Sequence, residues 1–238
     1  MDAAIRLEGV AKTFTMHLRA GAELPVVRDV AFAVAPGECV ALGGPSGAGK
    51  SSILKMIYGN YRADAGAIWL RDGGEWVDVA RADPRRVLSL RRRTLGYVSQ
   101  FLRAIPRVPA RELVAAAARD AGLEAEAACA RAETLLDRLN VPERLWSLPP
   151  ATFSGGEQQR VNLARGLAAE HPILLLDEPT ASLDAESRDR AVALIRQRRD
   201  AGAAILGIFH DAQVREALAG RVVDVSRFAA RPPAGADT

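Results

Sequence analysis

Residues 44–51 read Gly-Pro-Ser-Gly-Ala-Gly-Lys-Ser and match the pattern G-x-x-x-x-G-K-[ST]. They follow an apolar strand-like run, Glu-Cys-Val-Ala-Leu-Gly-Gly, and open a segment over 50–59 with helical character. Few chain geometries satisfy that order. Glycines let backbone N–H groups crowd around phosphate oxygens, and a helix N-terminus adds partial positive charge. In such a loop the lysine, here Lys50, reaches the β- and γ-phosphates, and the hydroxyl of Ser51 ligates Mg²⁺. The pattern predicts a nucleotide-phosphate site on a strand–loop–helix unit, with Gly44, Pro45, Ser46, Gly47, Ala48, Gly49, Lys50, Ser51 and Ser52 around it.

A second segment fits the same site. Residues 173–178, Ile-Leu-Leu-Leu-Asp-Glu, read as a buried strand beside the phosphate-loop strand, ending in two acids. Asp177 at its C-terminal end is placed to hold Mg²⁺. Glu178, one step nearer the γ-phosphate, is placed to orient and polarise an attacking water.

The rest of the chain supports a parallel α/β core. Strands are expected over 5–14, 25–34, 67–70, 75–79, 94–100 and 203–209, with a last one near 221–226. Helices are expected over 84–93, 110–139 with a break near Gly122, 156–169, 185–199 and 211–219. A length of 238 residues allows one large domain of ordinary globular composition, 49% hydrophobic and 26% charged. The expected division is one domain over 1–230, a helical part at about 100–155, and a flexible tail at 231–238. Cys39 and Cys129 cannot build a disulfide framework and read as packed small hydrophobes in a reducing, cytoplasmic setting. Apolar runs are too short to span a bilayer, so no direct membrane insertion is expected. The net charge of +3 is too mild to demand nucleic acid. His17 and His171 have no motif around them and read as structural, and the arginines of 85–93 as a solvated helix face.

Further matches carry a family resemblance over nearly the whole chain. Ser154-Gly155-Gly156-Glu157-Gln158-Gln159-Arg160 resembles the signature of the ATP-binding cassette (ABC) ATPases and lies 23 positions before Asp177. Gln100 resembles the Q-loop glutamine, Ala181-Ser182-Leu183-Asp184 the D-loop, and His210 the switch histidine. Phe14 stands where the family has an adenine-stacking aromatic; plain core packing is the other reading. The resemblance implies a P-loop NTPase of ABC nucleotide-binding type, with an N-terminal antiparallel β-subdomain and an α-helical signature subdomain. It implies ATP and Mg²⁺ as ligands, with Gln100 also touching the metal, and Glu178, Gln100 and His210 acting in hydrolysis. Ser154, Gly155, Gly156, Glu157 and Asp184 would meet a nucleotide held by a second ABC subunit, in a homo- or heterodimer.

A finer resemblance concerns the segments 98–110, 139–166 and 207–216, which look like PhnL-type subunits of the carbon–phosphorus lyase machinery for phosphonate use. That implies an ATPase in a soluble phosphonate-processing assembly, linked to the step forming alpha-D-ribose 1-methylphosphonate 5-triphosphate, with soluble lyase enzymes as partners. Two alternatives stand beside it. One is the ATPase subunit of a lipoprotein or macrolide exporter, with a permease contact near Phe101–Val108, where Arg103 and Arg107 argue against a plain apolar groove. The other is a nucleotide-gated scaffold without useful turnover.

Overall fold

Two strand patterns produce two sheets. The first, alternating and polar on one side, belongs to β1 (Ile5–Met16), β2 (Ala22–Val34), β4 (Ala65–Asp72) and β5 (Glu75–Asp78), which form an antiparallel sheet in the order β2-β1-β4-β5. The second, mainly apolar except for the exposed edge strand β9, belongs to β3 (Cys39–Gly43), β6 (Leu95–Val98), β7 (Ile173–Asp177), β8 (Ala204–Ile208) and β9 (Arg221–Asp224). These form a parallel sheet in the order β6-β7-β8-β3-β9. The computed structural model describes residues 3–16, 21–102 and 105–230. His17, Arg103 and the tail 231–238 lie outside the described residues.

Parallel strands read as unbroken apolar runs because both of their faces are covered. In β7, Ile173 and Leu175 face one apolar cluster while Leu174 and Leu176 face the other. The first cluster joins the sheet to α1 (Lys50–Ile57) and to the antiparallel strands through Ile53, Leu54, Ile5 and Leu7. The second joins it to α3 (Ala110–Asp120), α4 (Ala125–Arg138), α6 (Gly155–Leu167) and α7 (Ala185–Asp200) through Leu113, Leu135, Leu163 and Ile195. The α/β class and the division into β-subdomain and helical part agree with expectation.

Three details depart from it. The strand carrying Asp177 is not beside the phosphate-loop strand, because β8 lies between β7 and β3. β2 begins at Ala22, ahead of Pro25, which pairs with Thr13. Proline is tolerated there because β2 is the sheet edge, where one side needs no donor. A short helix, α5 (Glu143–Trp146), interrupts the irregular stretch 140–150.

The arginines of α2 (Pro84–Arg93) are not all solvated. Arg86 pairs with Asp72 at 3.0 Å. Arg91 donates to the Tyr58 carbonyl at 3.0 Å and to Asn60 Oδ1 at 2.9 Å. Cys39 is buried, and that burial pushes its thiol up to about 12, so it packs as an inert hydrophobe. Burial likewise holds His171 below the usual imidazole range, which keeps it neutral. Among the described residues no helix is long and apolar enough to cross a membrane.

The sheet's stability rests on β7, whose five residues are all buried. Leu175→Ala removes a fully buried side chain from the cluster beneath α1. It should destabilise the fold by roughly 2–5 kcal/mol, read as a lowered denaturant midpoint with unchanged slope.

Candidate active site

The C-terminal ends of the parallel strands collect the site. β3 leads into the loop 44–49, and α1 starts at Lys50. Gly49 caps α1 at φ 96°, in the left-handed region, and a Cβ there would lie 2.7 Å from Val27 Cγ1 and 2.8 Å from Val26 Cγ1. A side chain would thus be strained and would collide with β2. Ala48 N donates to the Pro45 carbonyl at 3.3 Å, and the glycine loop opening α1 forms a helix N-terminus suited to an anion.

Lys50 is only 8% exposed. Its ammonium donates to the carbonyls of Gly44 at 2.9 Å and Pro45 at 2.7 Å. Among the described residues no carboxylate is ion-paired with it. A buried cation held only by carbonyls, at the mouth of a glycine loop, fits a phosphate ligand.

Ser51 Oγ donates to Asp177 Oδ1 at 3.1 Å. The other oxygen, Oδ2, accepts from the Tyr97 hydroxyl at 3.0 Å. Asp177 is 2% exposed, and burial pushes its pKa above the ordinary carboxylate value; the neighbouring Glu178 charge adds to this, while Tyr97, Ser51 and Lys55 oppose it. Among the described residues no group of three or more His, Cys, Asp or Glu could hold a metal by itself. The pair Ser51–Asp177 fits Mg²⁺, which is commonly held by one or two protein oxygens together with substrate phosphates.

Glu178 follows in a left-handed conformation, φ 52°, immediately before Pro179. Such a backbone costs about 1–3 kcal/mol at a non-glycine residue and persists only where its surroundings impose it. Here Glu178 N donates to the Ile208 carbonyl at 3.1 Å, and Gln159 Nε2 donates to the Pro179 carbonyl at 2.8 Å. The carboxylate is gripped at both oxygens. Gln100 Nε2 donates to Oε2 at 3.1 Å, and His210 Nε2 lies 2.7 Å from Oε1. The structure therefore brings Gln100, Glu178 and His210 together, with Gln100 on Glu178 rather than on Ser51 or Asp177.

The remaining residues form a second group. Ser154 caps α6, accepting from Glu157 N at 3.3 Å, while Glu157 accepts from Ser154 N at 2.9 Å and from its hydroxyl at 2.7 Å. These hydrogen bonds hold the Glu157 carboxyl below its ordinary range. Gly155 and Gly156 form the first turn; a Cβ on Gly156 would stand 2.9 Å from the Ser182 carbonyl. Asp184 caps α7, accepting from Ser187 N at 2.8 Å, and lies 3.4 Å from Arg160. Among the described residues no hydrogen bond or ion pair joins Ser154–Glu157 to the phosphate loop. Phe14 stands on β1, edge-on to Tyr61 at 5.2 Å, with the Lys12 ammonium 5.2 Å from its ring centre.

Sequence reasoning missed four braces. Tyr97 reads as strand core, and nothing in its spacing shows its hydroxyl on Asp177. Gln159 and Arg160 belong to the signature, but their contacts inward to Pro179 and Ser187 need the folded chain. Asn162 Nδ2 donates to the Ser99 carbonyl at 2.6 Å, tying α6 to the residue before Gln100. A polar residue on the buried face of an amphipathic helix is the signal that could have found Asn162.

The comparisons with known proteins bear on the fold and the family. The ABC transporter family model matches residues 27–181, and the chain belongs to that family of ATP-binding cassette ATPases. The chain is 40% identical over 229 residues to the lipoprotein-releasing system ATP-binding protein LolD of Maricaulis maris, covering 96% of this chain and 95% of that protein. It is 34% identical over 214 residues to the macrolide export ATP-binding/permease protein MacB of Salmonella typhimurium, covering 89% of this chain and 32% of MacB. In structure it is similar to the dimeric cassette MJ0796 in a post-hydrolysis state bound to ADP and Pi, with a TM-score of 0.83, 27% identity, and coverage of 93% and 95%.

These relatives overturn the carbon–phosphorus lyase assignment and the soluble phosphonate enzymes named as partners. The resemblance that carried it has a physical explanation. The segments 98–110 and 139–166 supply Ala110, Leu139, Val141, Leu145, Phe153 and Val161 to the core. With 207–216 they also carry Gln100, Ser154 and His210. Likeness there reflects what the fold and site demand, and does not separate one cassette's task from another's.

The raised pKa of Asp177 sets a stability expectation. A carboxyl whose folded pKa lies above its unfolded value weakens the fold where it is ionised. Asp177→Asn, assayed with EDTA, should therefore melt at a higher temperature than the parent at neutral pH. The gain should shrink as pH falls through the Asp177 titration. Differential scanning calorimetry across pH checks this; a lower melting temperature at neutral pH would show the carboxylate to be stabilising.

Proposed function

We propose that this chain is the energising ATPase of a membrane export system, acting on a partner that crosses the membrane. The comparisons support the export class. The observation in the molecule that carries it is the surface just after Gln100: Phe101 is 75% exposed and Ile105 59% exposed. Large apolar side chains so exposed beside a nucleotide-responsive residue suit a protein contact. The chain spans about a third of the length of MacB.

In this reading the loop 44–49, Lys50 and Ser52 hold the ATP phosphates, and Ser51 and Asp177 hold Mg²⁺. Bound Mg²⁺ supplies charge neutralisation at the β- and γ-phosphates. Glu178 accepts a hydrogen bond, then the proton, from the attacking water. His210 and Gln100 fix its carboxylate on opposite oxygens. Ser154, Gly155 and Gly156 present a hydroxyl and backbone donors at a helix start. Within the described residues Ser154 meets the Glu157 carboxylate of its own helix; the nucleotide of a second cassette completes the arrangement, with Asp184 near the contact. The dimeric form of MJ0796 supports this. Phe14 is the aromatic that would stack on the adenine.

Two variants separate binding from hydrolysis. Lys50→Ala should weaken ATP binding about tenfold or more, since a charge-assisted contact is lost. Glu178→Gln should retain binding and lose about a hundredfold or more of turnover, and should accumulate as a dimer with Mg-ATP on size-exclusion chromatography. Normal turnover in Glu178→Gln would remove it from the catalytic role.

The partner reading is tested by purifying tagged Glu178→Gln with Mg-ATP from detergent-solubilised membranes of its host. A polytopic membrane protein should co-purify, and Ile105→Asp should abolish that recovery while leaving basal ATPase intact. Recovery of water-soluble proteins alone would overturn the export assignment.

A further inference from the structure

We propose that Tyr97 is the positioning residue for the metal-holding carboxylate, locking Asp177 through a hydroxyl that is itself held by an aromatic stack from two other elements. The proposal rests on the reading of Asp177 as a Mg²⁺ holder.

The geometry is specific. Asp177 has two oxygens and one firm contact to the phosphate-loop helix, from Ser51 to Oδ1 at 3.1 Å. With that contact alone the carboxylate can swing about its terminal bond. Tyr97 donates to Oδ2 at 3.0 Å and fixes the plane. Phenylalanine would fill the same space on β6, so the hydroxyl contributes chemistry rather than volume. Its aim is set from outside the strand. The Tyr97 ring lies 4.8 Å from the Tyr58 ring at the end of α1, tilted 34°. The Arg91 guanidinium of α2 lies over the Tyr58 ring at 4.3 Å from its centre. Arg91 is in turn held by the Tyr58 carbonyl and by Asn60. A tyrosine braced by a second tyrosine and a hydrogen-bonded arginine has little freedom to leave Asp177.

The consequence follows from the ligand chemistry. Mg²⁺ demands near-ideal octahedral geometry and gives up water reluctantly. A carboxylate held at the right angle therefore matters more than one merely nearby. Groups that orient a metal's ligands typically change metal affinity by about 10–100-fold when removed. Tyr97 touches neither nucleotide nor metal, so its effect should appear in the metal dependence and not in nucleotide binding itself.

The test uses the full chain in a Glu178→Gln background, so that ATP persists. Calorimetry measures ATP affinity in EDTA, then across a Mg²⁺ titration; Mn²⁺ electron paramagnetic resonance with ADP gives a second readout that needs no turnover. Tyr97→Phe should bind ATP in EDTA within about twofold of the parent and need about tenfold more Mg²⁺ for half the metal-dependent gain. Tyr58→Leu, which keeps the hydroxyl but removes the ring holding it, should move the same midpoint in the same direction by less. Equal losses with and without Mg²⁺ would mark a packing role and overturn the proposal. A parental midpoint in Tyr97→Phe, with a shifted one in Asp177→Asn, would overturn it alone. Unshifted midpoints in both would overturn the metal reading of Asp177 instead.

Discussion

The hydrogen bond between Ser51 and Asp177 joins residues 126 positions apart and closes the site. The chain must build most of its parallel sheet before that contact can form. β7 reaches the phosphate-loop strand only through β8, which pairs Leu176 with Gly207 on one side and Ala41 with Gly207 on the other. The position of Asp177 relative to Ser51 is therefore a property of the three-strand register. A slip of one residue in either pairing would turn the acid away from the loop and expose an apolar face. The continuous burial of β3, β7 and β8 guards against that slip more strongly than any polar contact in the site.

A second dependence runs through α6. The helix begins at Ser154 and Gly155, which are exposed, and continues with Gln159 and Asn162, which are buried. Gln159 holds the Pro179 carbonyl and Asn162 holds the Ser99 carbonyl. One rigid element thus sets both the strained turn at Glu178 and the residue before Gln100. Any force that rotates α6 against the sheet would move the gripping glutamine and its target in concert. The exposed Phe101 and Ile105 follow directly from Gln100, so a partner seated there would act on the same joint. The grip on Glu178 and the contact with a partner then belong to one mechanical unit, without a long relay between them.

The parts legible in the sequence were those that carry chemistry at fixed spacing along one strand or one helix start. The glycine loop, the Asp177-Glu178 pair, Gln100, His210 and the Ser154–Glu157 cap are each local patterns, and the α/β alternation shows through apolar runs that need cover on both faces. The strand order was not legible: periodicity shows that β7 is buried but not that β8 separates it from β3. Nor was Tyr97, since an aromatic in an apolar strand carries no sign of where its hydroxyl points. β2 starts at Ala22, ahead of the expected 25, because a proline inside a strand is tolerated at a sheet edge, and edges are set by tertiary pairing. The left-handed backbone of Glu178 is invisible locally, because neighbours 19 and 30 residues away impose it: Gln159 through Pro179, and Ile208.

The task of the cassette was the least legible property, and the structure explains why. Most of the chain is committed to a core and a phosphate site that any such ATPase must build. What distinguishes one task from another is left to a few exposed positions, whose side chains no packing rule constrains. Phe101 and Ile105 are large apolar side chains exposed to solvent after Gln100, and a partner that covered them would take that surface out of water. The buried Asp177 follows the same logic: its raised pKa marks a site that is suboptimal for the isolated fold and suited to what it binds. Both features are local departures from stability, and each sits where the protein would meet another molecule.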